Sequence, residues 1–160
     1  MEIEKKFLLK QLPTNLEKYE SHRIEQAYLC TEPVLRIRKF DAQYFITYKG
    51  KGLMVREEHE LPLTEEAYLH LKKKADGNVI EKTRYLIPDE HGHTIELDVF
   101  DGDYSGLLMA EVEFSSTEAA DGYKMPDWFS KEVTADARFQ NSRLSEMSDS
   151  EREKFLKEIQ

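Results

Sequence analysis

Charged residues occupy every second position at the start of this chain, and this pattern limits how the segment can fold. Glu2, Glu4 and Lys6 fall on alternate positions, and the apolar residues Ile3 and Phe7 lie on the intervening ones. Successive side chains of a β-strand point to opposite faces of the sheet. The segment therefore predicts a strand with one charged face and one largely apolar face.

Six later segments share this arrangement, and the sign of the charge is largely sorted by strand. The charged positions of these segments are Arg36 and Arg38; Lys49; Arg56, Glu58 and Glu60; Lys82 and Arg84; Glu96 and Asp98; and Glu111 and Glu113. A solvated sheet face needs no such sorting, because neutral polar residues serve equally well there. Solvent exposure stays open as an alternative for any single strand, but the set as a whole favours an enclosed charged surface.

The spacing of these segments predicts a closed sheet. The expected strands are residues 1–9, 23–31, 34–40, 43–49, 53–61, 79–87, 93–100 and 107–115. Short breaks between many of them suit antiparallel hairpins, and eight strands are enough to close a small barrel. We therefore predict an α+β, mainly β, fold: an eight-stranded antiparallel closed β-barrel, or tunnel, with a charged lumen and peripheral helices. Residues 1–160 are expected to form a single domain.

Two helices have clear start signals in the sequence. Thr64 is a suitable N-cap for a helix over residues 65–75, and Ser148 with Glu151 resembles a capping box for a C-terminal helix. The remaining segments after the last strand are expected to be mostly helical or irregular. Since the outer strand faces are apolar, we expect helices to cover the outside of the barrel.

A lumen that holds both signs of charge suggests the chemistry of its ligand. Burying ionised groups costs several kcal/mol each unless they are paired or bind ions. Arginine and lysine bind phosphate oxygens, whereas carboxylates hold Mg²⁺ or Mn²⁺, which in turn bridge to phosphates. Polyphosphate with a divalent metal is therefore the ligand that this pattern favours.

Composition narrows the function classes. The net charge of −9 and the pI near 5.1 argue against nonspecific binding to nucleic acid or to a membrane surface. Cys30 is the only cysteine, so no intramolecular disulfide is expected, and no apolar stretch approaches the length of a membrane span. We expect a cytoplasmic protein with polyphosphate as its small-molecule partner, no nucleic acid and no membrane, and we leave a homodimer open.

The ordered set of motifs resembles the CYTH superfamily, whose members are also called triphosphate tunnel metalloenzymes. The resemblance begins with Glu2-x-Glu4-x-Lys6 and covers nearly the whole chain. It continues through Leu35-Arg36-Ile37-Arg38, Tyr48-Lys49-Gly50, Arg56-x-Glu58-x-Glu60, Lys82-x-Arg84, Glu96-Leu97-Asp98-Val99-Phe100, Ala110-Glu111-Val112-Glu113, Trp128, Lys131-Glu132-Val133-Thr134 and Asn141. The short bacterial inorganic tripolyphosphatases are the members that it resembles most.

The resemblance implies a metal-dependent triphosphatase and assigns residues to it. The implied phosphate ligands are Lys6, Arg36, Arg38, Lys49, Arg56, Lys82 and Arg84. The implied ligands of Mg²⁺ or Mn²⁺ are drawn from Glu2, Glu4, Glu58, Glu60, Asp98, Glu111 and Glu113. Glu96 is left as an alternative partner of a tunnel arginine. No separate general base stands out, and the hypothesis for catalysis is that Glu60 or Asp98 orients the attacking water.

The resulting prediction is metal-dependent hydrolysis of tripolyphosphate to pyrophosphate and phosphate inside the tunnel, with secondary NTPase activity left open. Adenylate cyclase and thiamine triphosphatase are the alternatives within the superfamily, since the register of the bound substrate separates them and the sequence does not show it. A protein that binds polyphosphate or nucleotide without turnover is an alternative of another class. A further alternative is a protein-interaction module whose charged strand faces are exposed to solvent.

Overall fold

The computed structural model describes residues 1–160, and antiparallel strands dominate it. The strands are β1 Glu2–Leu9, β2 Glu20–Thr31, β3 Val34–Phe40, β4 Gln43–Lys49, β5 Val55–Arg56, β6 Glu58–Leu63, β7 Asp76–Pro88, β8 Thr94–Asp101, β9 Leu108–Glu113 and β10 Phe129–Glu132. The α-helices are α1 Glu65–Lys72, α2 Thr117–Asp121, α3 Asn141–Glu146 and α4 Asp149–Glu158. Short 3₁₀ turns span Leu16–Lys18, Gly102–Tyr104 and Ala137–Phe139.

The strands form a nearly closed barrel, which confirms the predicted fold class. Their order is β10-β1-β9-β8-β7-β2-β3-β4-β6, with β5 pairing with β1 off this path. Closure comes from β5, because Arg56 pairs with Glu2 of β1 while β6, one residue further along, pairs with β4. The predicted strand 53–61 is thus divided at Glu57. Its first half, β5, pairs with β1, and its second half, β6, pairs with β4.

One strand was not predicted from the sequence. Strand β10 lies beside the second half of β1, with Phe7 opposite Glu132 and Leu9 opposite Phe129. It occupies the same edge of β1 that β5 uses near Glu2. The segment is only four residues long, too short for its alternation to be read from sequence alone.

Apolar residues cover the outside of the barrel, as the alternation predicted. Leu97 and Val112 pack with Ala120 of α2 in one cluster, and Ile37 packs with Tyr68 of α1 in another. All five side chains are almost fully buried. The charged side chains at alternate positions consequently face the interior. Thr64 caps α1 by accepting a hydrogen bond from the backbone of residue 67, which confirms the predicted cap.

One end of the barrel interior is apolar rather than charged. Ile80, Phe100 and Met109 lie on the inward strand faces and cluster with Leu144 of α3 and Phe155 of α4. We call this cluster the apolar plug. It fills the barrel end that the C-terminal helices cover, so the charged part of the interior begins above it.

Hydrogen bonds hold α3 against this end of the barrel. The Asn78 amide donates to the carbonyls of Leu144 and Met147 at 3.2 and 2.8 Å, and the Tyr104 hydroxyl donates to Leu144 at 2.5 Å. The predicted capping box of α4 is present in both of its halves. None of the helices combines the length and the apolar character that crossing a membrane would need.

Candidate active site

The barrel encloses a cavity of about 330 Å³ whose lining is mostly charged. Seven cationic side chains line it: Lys6, Arg36, Arg38, Lys49, Arg56, Lys82 and Arg84. Seven carboxylates also line it: Glu2, Glu4, Glu58, Glu60, Glu96, Glu111 and Glu113. All seven residues expected to bind phosphate are therefore brought together, and so are all the expected metal ligands except Asp98.

Three carboxylates converge on one wall of the cavity. Oxygens of Glu4, Glu96 and Glu111 lie within 4.8 Å of one another. They come from the adjacent strands β1, β8 and β9, where Glu96 stands opposite Glu111 and Lys6 stands opposite Glu111 on its other side. We call these residues the carboxylate triad.

The triad is electrostatically unbalanced. Burial raises the pKa of Glu4 to about 8, and the neighbouring charge of Glu111 adds to the effect. Although burial also opposes ionisation of Glu111, Lys6 and Arg84 hold its pKa well below the usual range. Lys6 lies 3.2 Å from Glu111 but 3.8 Å from Glu4, so Glu4 receives less compensation. Crowded carboxylates of this kind fit Mg²⁺ or Mn²⁺, which prefer oxygen ligands and would relieve the repulsion.

The cations of the cavity divide into two groups. Lys6, Lys49, Lys82 and Arg84 form ion pairs with carboxylates of the barrel wall. In contrast, Arg36, Arg38 and Arg56 form no ion pair anywhere in the structure. Arg36 contacts the hydroxyl of Thr47, Arg38 the side-chain amide of Gln26 and Arg56 the backbone carbonyl of Gly50.

The second group, which we call the free arginines, consists of cations without a carboxylate partner in the protein. The Nε atom of Arg36 is buried without any hydrogen-bond partner. Burial, together with the guanidiniums of Arg36 and Arg84, lowers the pKa of Arg38 to about 9. Buried charges are normally paired, so the free arginines have the capacity to bind an anion in the cavity.

The structure places Asp98 beneath the cavity rather than in its lining. The side chain is fully buried, and it lies 2.7 Å from Lys82 and 2.8 Å from Arg84. Both of its oxygens are therefore engaged by cations of β7. The expected role of Asp98 as a metal ligand or as the group that orients water does not fit this placement. Glu96, for which pairing with a tunnel arginine was left as an alternative, pairs with Arg84 at 2.6 Å and also belongs to the triad.

The remaining carboxylates lie further along the cavity. Glu2 and Glu58 both contact the ammonium of Lys49, at 3.0 and 3.2 Å. Burial, followed by the neighbouring carboxyl of Glu58, raises the pKa of Glu2. Glu60 accepts a hydrogen bond from Thr47 at 3.2 Å.

The sequence motifs include Asn141, but sequence reasoning assigned no role in the site to it or to the other neutral residues. Gln26 is fully buried and contacts Arg38, and Asn141 accepts a hydrogen bond from Lys82 at 3.2 Å. Ser142 also lines the cavity, so α3 contributes to its floor. The available signal was the position of Gln26 between Ile24 and Tyr28, on alternate positions of one strand. Phe40 and Phe45 also line the cavity.

Comparisons with known proteins agree with this geometry. No family model matches the chain. The inorganic triphosphatase of Nitrosomonas europaea is 39% identical over 151 residues, which cover 90% of this chain and 96% of that protein. The chain belongs to the inorganic triphosphatase family. The inorganic triphosphatase of Acetivibrio thermocellus is 35% identical over 147 residues, covering 89% of this chain and 92% of that one.

Solved structures support the same family. The crystal structure of an inorganic triphosphatase superposes with a TM-score of 0.71 at 35% identity and covers 92% of this chain and 96% of its own. A Hippeastrum protein described as an adenylyl cyclase with dominant triphosphatase activity gives a TM-score of 0.56 at 18% identity, covering 76% of this chain and 83% of that one. At that identity the second match shows the fold alone.

Proposed function

We propose that this inorganic triphosphatase family member hydrolyses inorganic tripolyphosphate to pyrophosphate and phosphate within the barrel cavity, using a divalent metal. The observation that carries the proposal is the presence of the free arginines and the carboxylate triad in one enclosed cavity. A linear triphosphate with a bound metal cation needs cationic groups for its phosphates and carboxylates for its metal. The names of the two relatives give the substrate class.

The free arginines would bind the phosphate chain. Guanidinium groups form paired, charge-assisted hydrogen bonds with phosphate oxygens, and Arg36 and Arg38 have unused donors and no carboxylate to compete for them. Arg84 and Lys6 adjoin the triad, because each contacts Glu111. Their charge would stabilise the negative charge that develops during phosphoryl transfer.

The carboxylate triad would hold the metal. A divalent metal held there, Mg²⁺ or Mn²⁺, would supply charge neutralisation for the phosphate and activation of water. Lys6 keeps Glu111 ionised, and Arg84 orients Glu96 through its 2.6 Å contact, so both cations also prepare the metal ligands. Of the two candidates for orienting the attacking water, Glu60 fits the role better than Asp98, because only Glu60 lines the cavity.

Phosphate release tests the proposal directly. Tripolyphosphate, ATP, thiamine triphosphate and pyrophosphate would each be incubated with Mg²⁺, with Mn²⁺ and with EDTA, and cyclic AMP would be measured in the ATP sample. Metal-dependent release that is fastest from tripolyphosphate is expected. Cyclic AMP as the main product, or release unaffected by EDTA, would contradict the proposal.

A matched pair of variants separates catalysis from folding. Glu4→Gln keeps the size of the side chain but removes a carboxylate that would bind the metal in the triad, so turnover should fall sharply while the circular dichroism spectrum is retained. Glu17→Gln makes the same change on the 3₁₀ turn Leu16–Lys18, outside the cavity lining, and should leave turnover unaltered. Equal activity in both variants would remove Glu4 from the site.

A further inference from the structure

Gln26 contacts one of the free arginines from within the barrel wall. Its amide oxygen accepts a hydrogen bond from Nε of Arg38 at 2.9 Å, and its amide nitrogen donates to the hydroxyl of Tyr28 at 3.1 Å. Gln26 has no exposed surface. Both ends of the amide are thus satisfied, and the contact fixes one edge of the Arg38 guanidinium.

The neutrality of Gln26 matters because of the charges around it. The positive charges of Arg36 and Arg84 act on Arg38. Arg84, Lys6 and Lys82 have carboxylate partners, whereas Arg36 has none. A carboxylate at position 26 would accept the same hydrogen bond, but it would also neutralise Arg38. An amide accepts the bond and leaves the full positive charge of Arg38 available to a ligand.

We propose that Gln26 is a positioning residue for anion binding: it orients the Arg38 guanidinium towards the cavity without cancelling its charge. The inference deepens the proposed function, because the anion in question is the phosphate chain of the substrate. It assigns to a buried neutral residue part of the affinity for triphosphate. Gln26 itself need not touch the substrate, since it is fully buried and is not among the residues that line the cavity.

Two substitutions distinguish orientation from charge. Gln26→Met keeps the approximate volume and removes the hydrogen bond, so Arg38 loses its orientation; the KM for tripolyphosphate should rise about three- to tenfold with kcat within about twofold. Gln26→Glu keeps the hydrogen bond and introduces a charge beside Arg38, so affinity should fall more than tenfold. Wild-type affinity in Gln26→Glu would overturn the inference.

A double-mutant cycle shows whether Gln26 acts through Arg38. In an Arg38→Met background, Gln26→Met should have almost no further effect on the KM, because the group that it positions is gone. Multiplied effects of the two substitutions would contradict the proposal and indicate a general structural role. Gln43→Glu is the matched charge control, since Gln43 lines the same cavity but lies at the exposed start of β4. Its effect should be smaller than that of Gln26→Glu.

Binding without turnover keeps this test independent of the proposed reaction. The dissociation constant of tripolyphosphate would be measured by titration calorimetry in EDTA for the wild type and for each variant. A weaker constant in Gln26→Glu than in Gln43→Glu supports the inference even if the protein hydrolyses nothing. Equal constants in the wild type and all Gln26 variants reject it, whatever the activity assay shows.

Discussion

Arg84 and Asp98 form a two-bonded ion pair inside the barrel wall, with Nε to Oδ1 at 2.8 Å and Nη2 to Oδ2 at 2.9 Å. The two residues face each other directly across strands β7 and β8. Asp98 also lies 2.7 Å from the ammonium of Lys82. A single carboxylate therefore fixes two cations that line the cavity.

Asp98→Asn should destabilise the protein strongly. The amide keeps the shape but removes the charge, leaving Arg84 and Lys82 buried without their main partner. Removal of one member of a buried ion pair costs about 3–5 kcal/mol, and we expect a loss near the lower end because asparagine retains one acceptor. Urea unfolding would measure it. Glu113→Gln, at an exposed carboxylate without an ion pair, is the control, and similar unfolding free energies for both variants would refute the expectation.

Glu96→Gln should weaken metal binding more than folding. It removes one charge from the carboxylate triad, so the Mg²⁺ or Mn²⁺ concentration for half-maximal activity should rise at least about tenfold, which corresponds to about 1.4 kcal/mol. Metal titrations of activity would measure the shift. Glu60→Gln provides the comparison, because Glu60 lies outside the triad. A larger shift for Glu60→Gln would place the metal elsewhere in the cavity.

Arg36→Met should stabilise the ligand-free protein or leave its stability unchanged, and it should weaken the binding of tripolyphosphate. The substitution removes a buried cation whose Nε has no partner, and an unsatisfied buried group costs about 1–3 kcal/mol. The same charge is needed for phosphate, so the rise in melting temperature that tripolyphosphate produces should shrink. Thermal unfolding with and without tripolyphosphate measures both effects. A destabilised variant that retains full ligand stabilisation would contradict this expectation.

His22 should make stability depend on pH. Its ring nitrogens lie 2.6 Å from Asp41 and 2.7 Å from Glu20, and these hydrogen bonds raise the pKa of His22 above 6.5. A raised pKa means that the stabilisation is fully present below about pH 6.5 and disappears as the pH rises through the folded-state value. The stability difference between wild type and His22→Gln should therefore be larger at pH 6 than at pH 9.

The magnitude of that effect is small because the site is near the surface, where a pair contributes no more than about 1 kcal/mol. His91→Gln is the control, since the His91 ring has no such partners. A His22→Gln difference that is constant between pH 6 and pH 9 would show that the ring contributes without its charge.

Gly77→Ala should disturb α3, and Gly92→Ala offers a matched comparison. Both glycines have positive φ, so both substitutions carry a similar backbone penalty of about 1–2 kcal/mol. A Cβ at Gly77 would lie 2.1 Å from the carbonyl oxygen of Ser145, whereas one at Gly92 would meet nothing within 4 Å. Gly77→Ala should therefore lower the melting temperature further and also reduce activity, because α3 carries Asn141 and Ser142 to the cavity. Equal melting temperatures would show that α3 shifts without cost.

The alternation of charged residues was sufficient to predict the barrel and the inward face of its strands. A period of two residues fixes the side to which Arg36 or Glu111 points, and the neighbouring strands supply the rest of the enclosure. Alternation does not show whether an inward side chain reaches the cavity or is buried beneath its lining. Glu96 and Asp98 share one inward face, yet only Glu96 lines the cavity, because the shorter side chain of Asp98 is covered by Lys82 and Arg84.

Residues without charge were invisible to the same reasoning. Gln26 and Asn141 contact the cavity cations, but a lone amide carries no pattern that distinguishes it from an ordinary buried polar residue. The apolar plug was also missed, since Ile80, Phe100 and Met109 resemble core residues of any strand. Their common location depends on the stagger of the strands, which only the three-dimensional structure supplies.

Strand β1 lies at the beginning of the chain, while its partners β5, β9 and β10 follow much later. Lys6 and Glu111, which meet in the cavity, are separated by 105 positions. Folds that rely on such distant pairings close slowly, because a long loop must be ordered before the contacts form. During synthesis the N-terminal glutamates therefore emerge from the ribosome long before the strands that will enclose them. We expect the catalytic cavity to be among the last features of this protein to form, and its assembly to require nearly the whole polypeptide.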